Sequence, residues 1–123
     1  PGQDPDHILE LARDYLEDIA PDTVSLEFKP HHGGKPVVVD RHSPAVQAAM
    51  RASEKAWGTD AVFTRGGGSI PVVATFSEVL GVPTVLLGFG LNDDRLHSPN
   101  EKFNVENFYK GIETSSYLWS EVR

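Results

Sequence analysis

Hydrophobic positions recur along this chain at two periods, and each change of period marks a new element. Ile8, Ala12, Tyr15, Leu16 and Ile19 follow one another at helical spacing. Asp4-Pro5-Asp6 opens that segment with a capping carboxylate and a proline in the first turn, and Pro21 ends it. Val24, Leu26 and Phe28 then alternate with Ser25, Glu27 and Lys29, the pattern of a half-buried strand. His31-His32-Gly33-Gly34 breaks the strand, and residues 36–40 read as a short extended segment. Ser43-Pro44 opens a second helix by the same cap-then-proline logic. Its inner face is predicted at Val46, Ala49, Met50, Ser53 and Trp57, with Gly58 as C-terminal cap. Residues 61–64 predict a short strand and 65–69 a loop, after which Ser69 caps a third helix ending near Gly81. Residues 84–87 are apolar without alternation, as in a strand buried on both faces. A loop follows over 88–100. A last helix is predicted over 104–120, with Val105, Phe108, Ile112 and Trp119 turned inward.

The order helix–strand, then helix–strand–helix–strand–helix, predicts an α/β chain. Its second half has the alternation of a doubly wound layer. Its first helix and strand predict an incomplete α+β unit, lacking a strand before the helix. Composition shifts most over 31–36, the candidate boundary. At 123 residues the chain has the size of one domain with a modest core.

Charge narrows the partners. Eighteen acids against 11 bases give a net charge of −7, which disfavours nucleic acid and anionic membranes. No run approaches the roughly 20 apolar residues of a membrane span. The absence of cysteine removes disulfides and thiolate chemistry and fits a reducing, cytoplasmic setting. The start PGQDPD carries no signal segment and no methionine, as expected of a trimmed chain or of a piece of a longer protein.

Two loops leave the carboxyl ends of predicted strands, the place where open α/β sheets bind ligands. In Arg65-Gly66-Gly67-Gly68-Ser69, glycines expose backbone amides, a helix N-terminus follows, and Arg65 offers a fork of donors. Two readings stand: an anion site, or a tight turn with a serine cap and a surface arginine. The loop lacks the GK[ST] ending of a phosphate-binding P-loop and the G-x-G-x-x-G dinucleotide fingerprint. The second loop, Leu96-His97-Ser98-Pro99-Asn100-Glu101, offers one imidazole, which suits a plain loop residue, a general base or a metal ligand. Asp93 and Asp94 nearby either take a metal or solvate the loop. Catalytic zinc needs about three protein ligands, and these residues have no recognised spacing for it. His7, His31, His32 and His42 sit where surface histidines are ordinary. The residues alone therefore yield an anion loop and one histidine, short of a complete active site.

The segments TRGGGSIPVV, FSEVLGVPTVLLGFG and LHSPNEKF resemble the C-terminal end of the two-zinc aminoacylase, carnosinase and carboxypeptidase G metallopeptidase family. The motifs R-x-G-G-S-I-P and H-S-x-N-E resemble its dipeptidase branch. The resemblance implies hydrolysis of peptide or amide bonds in small substrates. Two zinc ions bridged by an aspartate and a water would serve, with a glutamate as general base on that water. It implies that His97 is a ligand to one zinc. Arg65, Gly67, Gly68 and Ser69 match the loop around the substrate's carboxylate end, and Asn100 and Glu101 match positions that order the ligand.

Nothing in the chain matches the family's other zinc ligands or its glutamate base. Gly66 stands where dipeptidases often carry glutamate. The resemblance thus implies the C-terminal part of a larger enzyme. Residues 1–34 would be a partial lid or dimerisation domain with incomplete α+β structure. Residues 35–123 would be the C-terminal segment of a three-layer αβα catalytic domain. Alone, the chain is expected to be inactive and to hold no metal tightly. Its expected partners are a dipeptide or acyl-amino-acid substrate, the N-terminal part of the same enzyme, and a second copy in a homodimer. Zinc is the expected cofactor, with cobalt or manganese as alternatives. The competing reading is a non-catalytic anion-binding or dimerisation module.

Overall fold

The computed structural model describes residues 2–31, 33–66 and 70–123. The chain divides into two compact units, Pro1–Val38 with Gly66–Val82, and Val39–Arg65 with Pro83–Arg123. Four helices form, α1 (Pro5–Ile19), α2 (Pro44–Trp57), α3 (Pro71–Leu80) and α4 (Val105–Glu121).

In the first unit, Asp4 caps α1 as expected: its Oδ1 accepts from the amides of Asp6 at 3.0 Å and His7 at 3.1 Å. The apolar stripe of α1 forms, but none of its residues is buried among the described residues; Leu11 is 50% exposed and Tyr15 64%. The cap of α3 differs from expectation. Ile70 occupies the N-cap position with no side-chain cap bond, and Ser69 lies outside the described residues. Gly81 ends α3 in the left-handed conformation at φ 62°, where a Cβ would be strained. Lys35 pairs with Glu78 of α3 at 2.8 Å, and the Arg13 guanidinium lies 5.4 Å from the centroid of the Phe28 ring.

The second unit is built on the packing of α2 against α4. Ser43 caps α2 at the Val46 amide and Gly58 closes it at φ 70°. Val46, Ala49, Ala52, Ser53 and Ala56 are buried along one helical face. On α4 the buried residues are Gly111 and Thr114, not Val105, Phe108, Ile112 and Trp119. Those four, predicted inward, are 51–73% exposed. The reason lies in the neighbours. Of the two buried positions of α4, Thr114 meets Trp57 of α2 and Gly111 lies beside Phe89, leaving the aromatic face uncovered among the described residues. Trp57 Nε1 donates to Thr114 Oγ1 at 3.0 Å, and that hydroxyl donates to the Lys110 carbonyl at 2.7 Å. Lys110 in turn donates to the Ala56 carbonyl, satisfying an acceptor in the last turn of α2. Glu121 sits between Lys55 and Arg51, one turn apart on α2, and these two bases hold its carboxyl below the usual range, Lys55 first.

No strand forms among the described residues. The segments 24–28, 61–64 and 84–87, all predicted as strands, carry no ladder, so the expected αβα layering is not formed there. Alternation and apolarity assign faces to a segment, but a strand needs a partner for its own N–H and C=O groups. Val24, Val62 and Leu86 are 56%, 84% and 56% exposed, as befits segments without a neighbouring sheet. No described helix is long and apolar enough to cross a membrane.

Candidate functional site

The histidine loop is a chain of tight turns with a charged clasp. Asp94 N–H donates to the Leu91 carbonyl at 3.1 Å, Ser98 N–H to Arg95 at 3.0 Å, and Glu101 N–H to Ser98 at 3.2 Å. The Ser98 hydroxyl also donates to the Arg95 carbonyl, at 2.6 Å. The last turn places Pro99 second and Asn100 third, with Asn100 at φ 63°, the residue pattern of a type II turn. His97 takes the third position of the preceding turn at φ 61°, and Arg95 stands at φ 55°. Left-handed conformations at residues bearing a Cβ cost on the order of 1–3 kcal/mol each and persist only where the surroundings enforce them.

A charged clasp closes the loop on either side of them. Asp94 is 1% exposed. Its Oδ2 accepts from the Leu91 amide at 2.7 Å and its Oδ1 from Lys102 Nζ at 3.1 Å. Its carbonyl accepts from the Lys102 amide at 3.0 Å, joining the two ends of the loop. The Leu91 amide first, and Lys102 after it, hold the Asp94 carboxyl below the usual carboxylate range despite burial. Lys102 also reaches Asp93 at 3.1 Å, and the two aspartates raise its pKa, Asp93 first. The carboxylate of Asp94 is thus engaged at both oxygens, and Asp94 serves as a structural anchor, not as a free ligand.

His97, Asn100 and Glu101 are exposed on this one loop. Arg65 is exposed in the same unit, while Gly67, Gly68 and Ser69 lie outside the described residues. His7 and His31 are exposed, and His42 Nε2 accepts from Arg41 Nε at 3.1 Å; His32 lies outside the described residues. Among the described residues no group of three or more His, Cys, Asp or Glu side chains could hold a metal ion. An exposed imidazole suits a metal only as one ligand of a set, and the described residues assemble no such set. The sequence reading missed the Asp94–Lys102 clasp. The two residues lie in a run of turns, outside any helix or strand, where neither period relates one side chain to another, so no local signal announces it. The Pro99-Asn100 turn, by contrast, is legible from residue type.

The chain belongs to the peptidase family M20/M25/M40, whose profile matches residues 3–121. Among curated proteins it is 42% identical to the Cys-Gly metallodipeptidase DUG1 of Candida albicans over 83 residues, 68% of this chain and 17% of that protein. It is 41% identical to the protein of that name in Saccharomyces cerevisiae over 88 residues, 71% of this chain and 18% of that protein. It is 35% identical to the human Beta-Ala-His dipeptidase over 75 residues, covering 61% and 15% of the two chains. The solved structure of the di-peptidase Dug1p from Saccharomyces cerevisiae superposes with a TM-score of 0.69 at 38% identity, covering 72% of this chain and 18% of that one. The chain therefore spans less than a fifth of the length of each of these relatives.

Proposed function

We propose that this chain serves as the C-terminal portion of a metal-dependent dipeptidase, contributing one metal ligand and part of the substrate pocket. One observation carries the reading: a family member presents an exposed imidazole, His97, on a clasped loop whose backbone is forced into the left-handed region. In this reading His97 holds one of two zinc ions, with cobalt or manganese as substitutes. Zinc held there with ligands from the rest of the enzyme would supply activation of a water and charge stabilisation for the developing oxyanion. Arg65, with the amides and hydroxyl of Gly67, Gly68 and Ser69, binds the substrate's terminal carboxylate. Asn100 and Glu101 keep the loop in register around the ligand.

The names of the relatives support dipeptides as the substrate class. In the complete enzyme, 35–123 belongs to the catalytic αβα domain, where the segments 61–64 and 84–87 gain strand partners. Residues 1–34 belong to the lid, through which two copies pair in the cytoplasm. The chain by itself is inactive in this reading, because the general base and the remaining ligands come from elsewhere.

The test is dipeptide hydrolysis by the complete natural protein, stripped of metal by chelation and reloaded with zinc. Activity returns on reloading, and His97→Ala loses at least about 100-fold, in line with the loss of a catalytic metal's ligand. A His97→Ala enzyme with an unchanged rate and unchanged metal content refutes the assignment.

A further inference from the structure

From the contacts around Asp94 we infer that it is a positioning residue, whose buried carboxylate clasps the loop and thereby aims the His97 imidazole. The inference rests on the reading of His97 as a metal ligand. Asp94 reaches both ends of the loop: its carboxylate and amide engage Leu91, and its carboxylate and carbonyl engage Lys102. A Cβ at Gly90 would stand 3.2 Å from Asp94 Oδ2, so the glycine leaves the carboxylate its seat.

Between these anchors lie three non-glycine residues at positive φ, Arg95, His97 and Asn100. Such a backbone relaxes once its ends are released. The bonds that shape the His97 turn run from Ser98 to the Arg95 carbonyl and leave the imidazole out. The direction of the ring is therefore inherited from the backbone, and the backbone from the clasp. Charge matters as well as shape. Asn in place of Asp94 keeps an acceptor for the Leu91 amide but deprives the Lys102 ammonium of its buried counter-charge.

The test uses the complete natural protein as wild type, Asp94→Asn, Lys102→Gln, His97→Ala and the Asp94→Asn/His97→Ala double variant. Two readouts are taken: amide hydrogen exchange of the metal-free protein, and zinc affinity by competition with a chromophoric chelator. Both clasp variants should exchange the amides of 91–102 about 10-fold faster or more, with α2 and α4 unchanged. They should bind zinc about 10-fold more weakly or worse. The double variant should bind zinc no more weakly than His97→Ala alone, because Asp94 acts through His97.

Wild-type exchange across 91–102 in both clasp variants overturns the inference, as does faster exchange spread equally through α2 and α4. A further loss of affinity in the double variant also overturns it. An unchanged zinc affinity in His97→Ala sinks the ligand reading instead. The exchange data then still decide whether Asp94 sets the loop.

Discussion

Adding a single methyl group at Gly111 tests how the second unit is packed. Gly111 lies in the middle of α4 and is buried. On helix propensity alone, Gly111→Ala should stabilise by about 0.5–1 kcal/mol, because glycine loses more backbone freedom than alanine. The structure reverses that sign. A Cβ at this position would stand 3.0 Å from Phe89 Cδ2 and 3.3 Å from Cε2 and Cγ, inside the roughly 3.5–4.0 Å optimum for carbon contacts. A shift of the Phe89 ring disturbs the contacts that hold it. Its ring stacks with Trp57 at 6.4 Å between centroids and 6° between planes. Trp57 is pinned by Thr114, and the Phe89 carbonyl accepts from Asn107 Nδ2 at 2.8 Å.

Overpacking of this kind costs about 1–3 kcal/mol. Set against the helix gain, Gly111→Ala should destabilise by about 1 kcal/mol, read as a lower urea midpoint in far-UV circular dichroism. The decisive assay is the double-mutant cycle with Phe89→Ala. Without the ring, the same methyl should stabilise, giving a coupling of about 2 kcal/mol. A Gly111→Ala change that stabilises equally in both backgrounds refutes the packing argument and leaves helix propensity as the whole effect.

Further outcomes follow from other contacts. Thr114→Val keeps the shape but removes the acceptor for Trp57 and the donor to Lys110, and should cost about 1–2 kcal/mol in the same assay; no change would mean water replaces the hydroxyl. The Glu121 carboxyl titrates below its ordinary value of 4.5 in the folded state, so its stabilisation is present above that value and is lost as pH falls through the lowered pKa. Melting temperatures of wild type and Glu121→Gln should differ at neutral pH and converge in acid; a gap independent of pH would exclude the ion pairs as its source. Asn100→Gly suits the left-handed turn position and should leave the melting temperature unchanged or raised, whereas Asn100→Val should cost about 1–2 kcal/mol; equal melting temperatures for the two variants would show that the turn is not enforced.

The turn structure of the candidate loop was partly legible before the structure. His97, Asn100 and Glu101 stand in a motif, and Pro99-Asn100 announces its turn because turn chemistry is carried by adjacent residues. The aim of the imidazole was not legible. It depends on Asp94 meeting Lys102, and Asp94 read equally well as a metal candidate or a solvated loop residue.

The same division runs through the fold. By itself the sequence determined where most helices begin and end, the N-cap of α3 at Ile70 being the exception. Asp4 and Ser43 cap, Pro5, Pro44 and Pro71 occupy first turns, and Gly58 and Gly81 stop their helices, each through forces spanning about one turn. Tertiary structure decided what each face meets. On α4 the period marked an apolar stripe at Phe108, Ile112 and Trp119, yet Gly111 and Thr114 are the buried positions, Gly111 beside Phe89 and Thr114 beside Trp57 of α2. In segments 61–64 and 84–87 the residue types suit a strand, but pairing requires a neighbour that no local pattern supplies. Caps and turns close on themselves within a few residues. Burial and pairing are completed by residues distant in the chain, and those only the folded structure brings together.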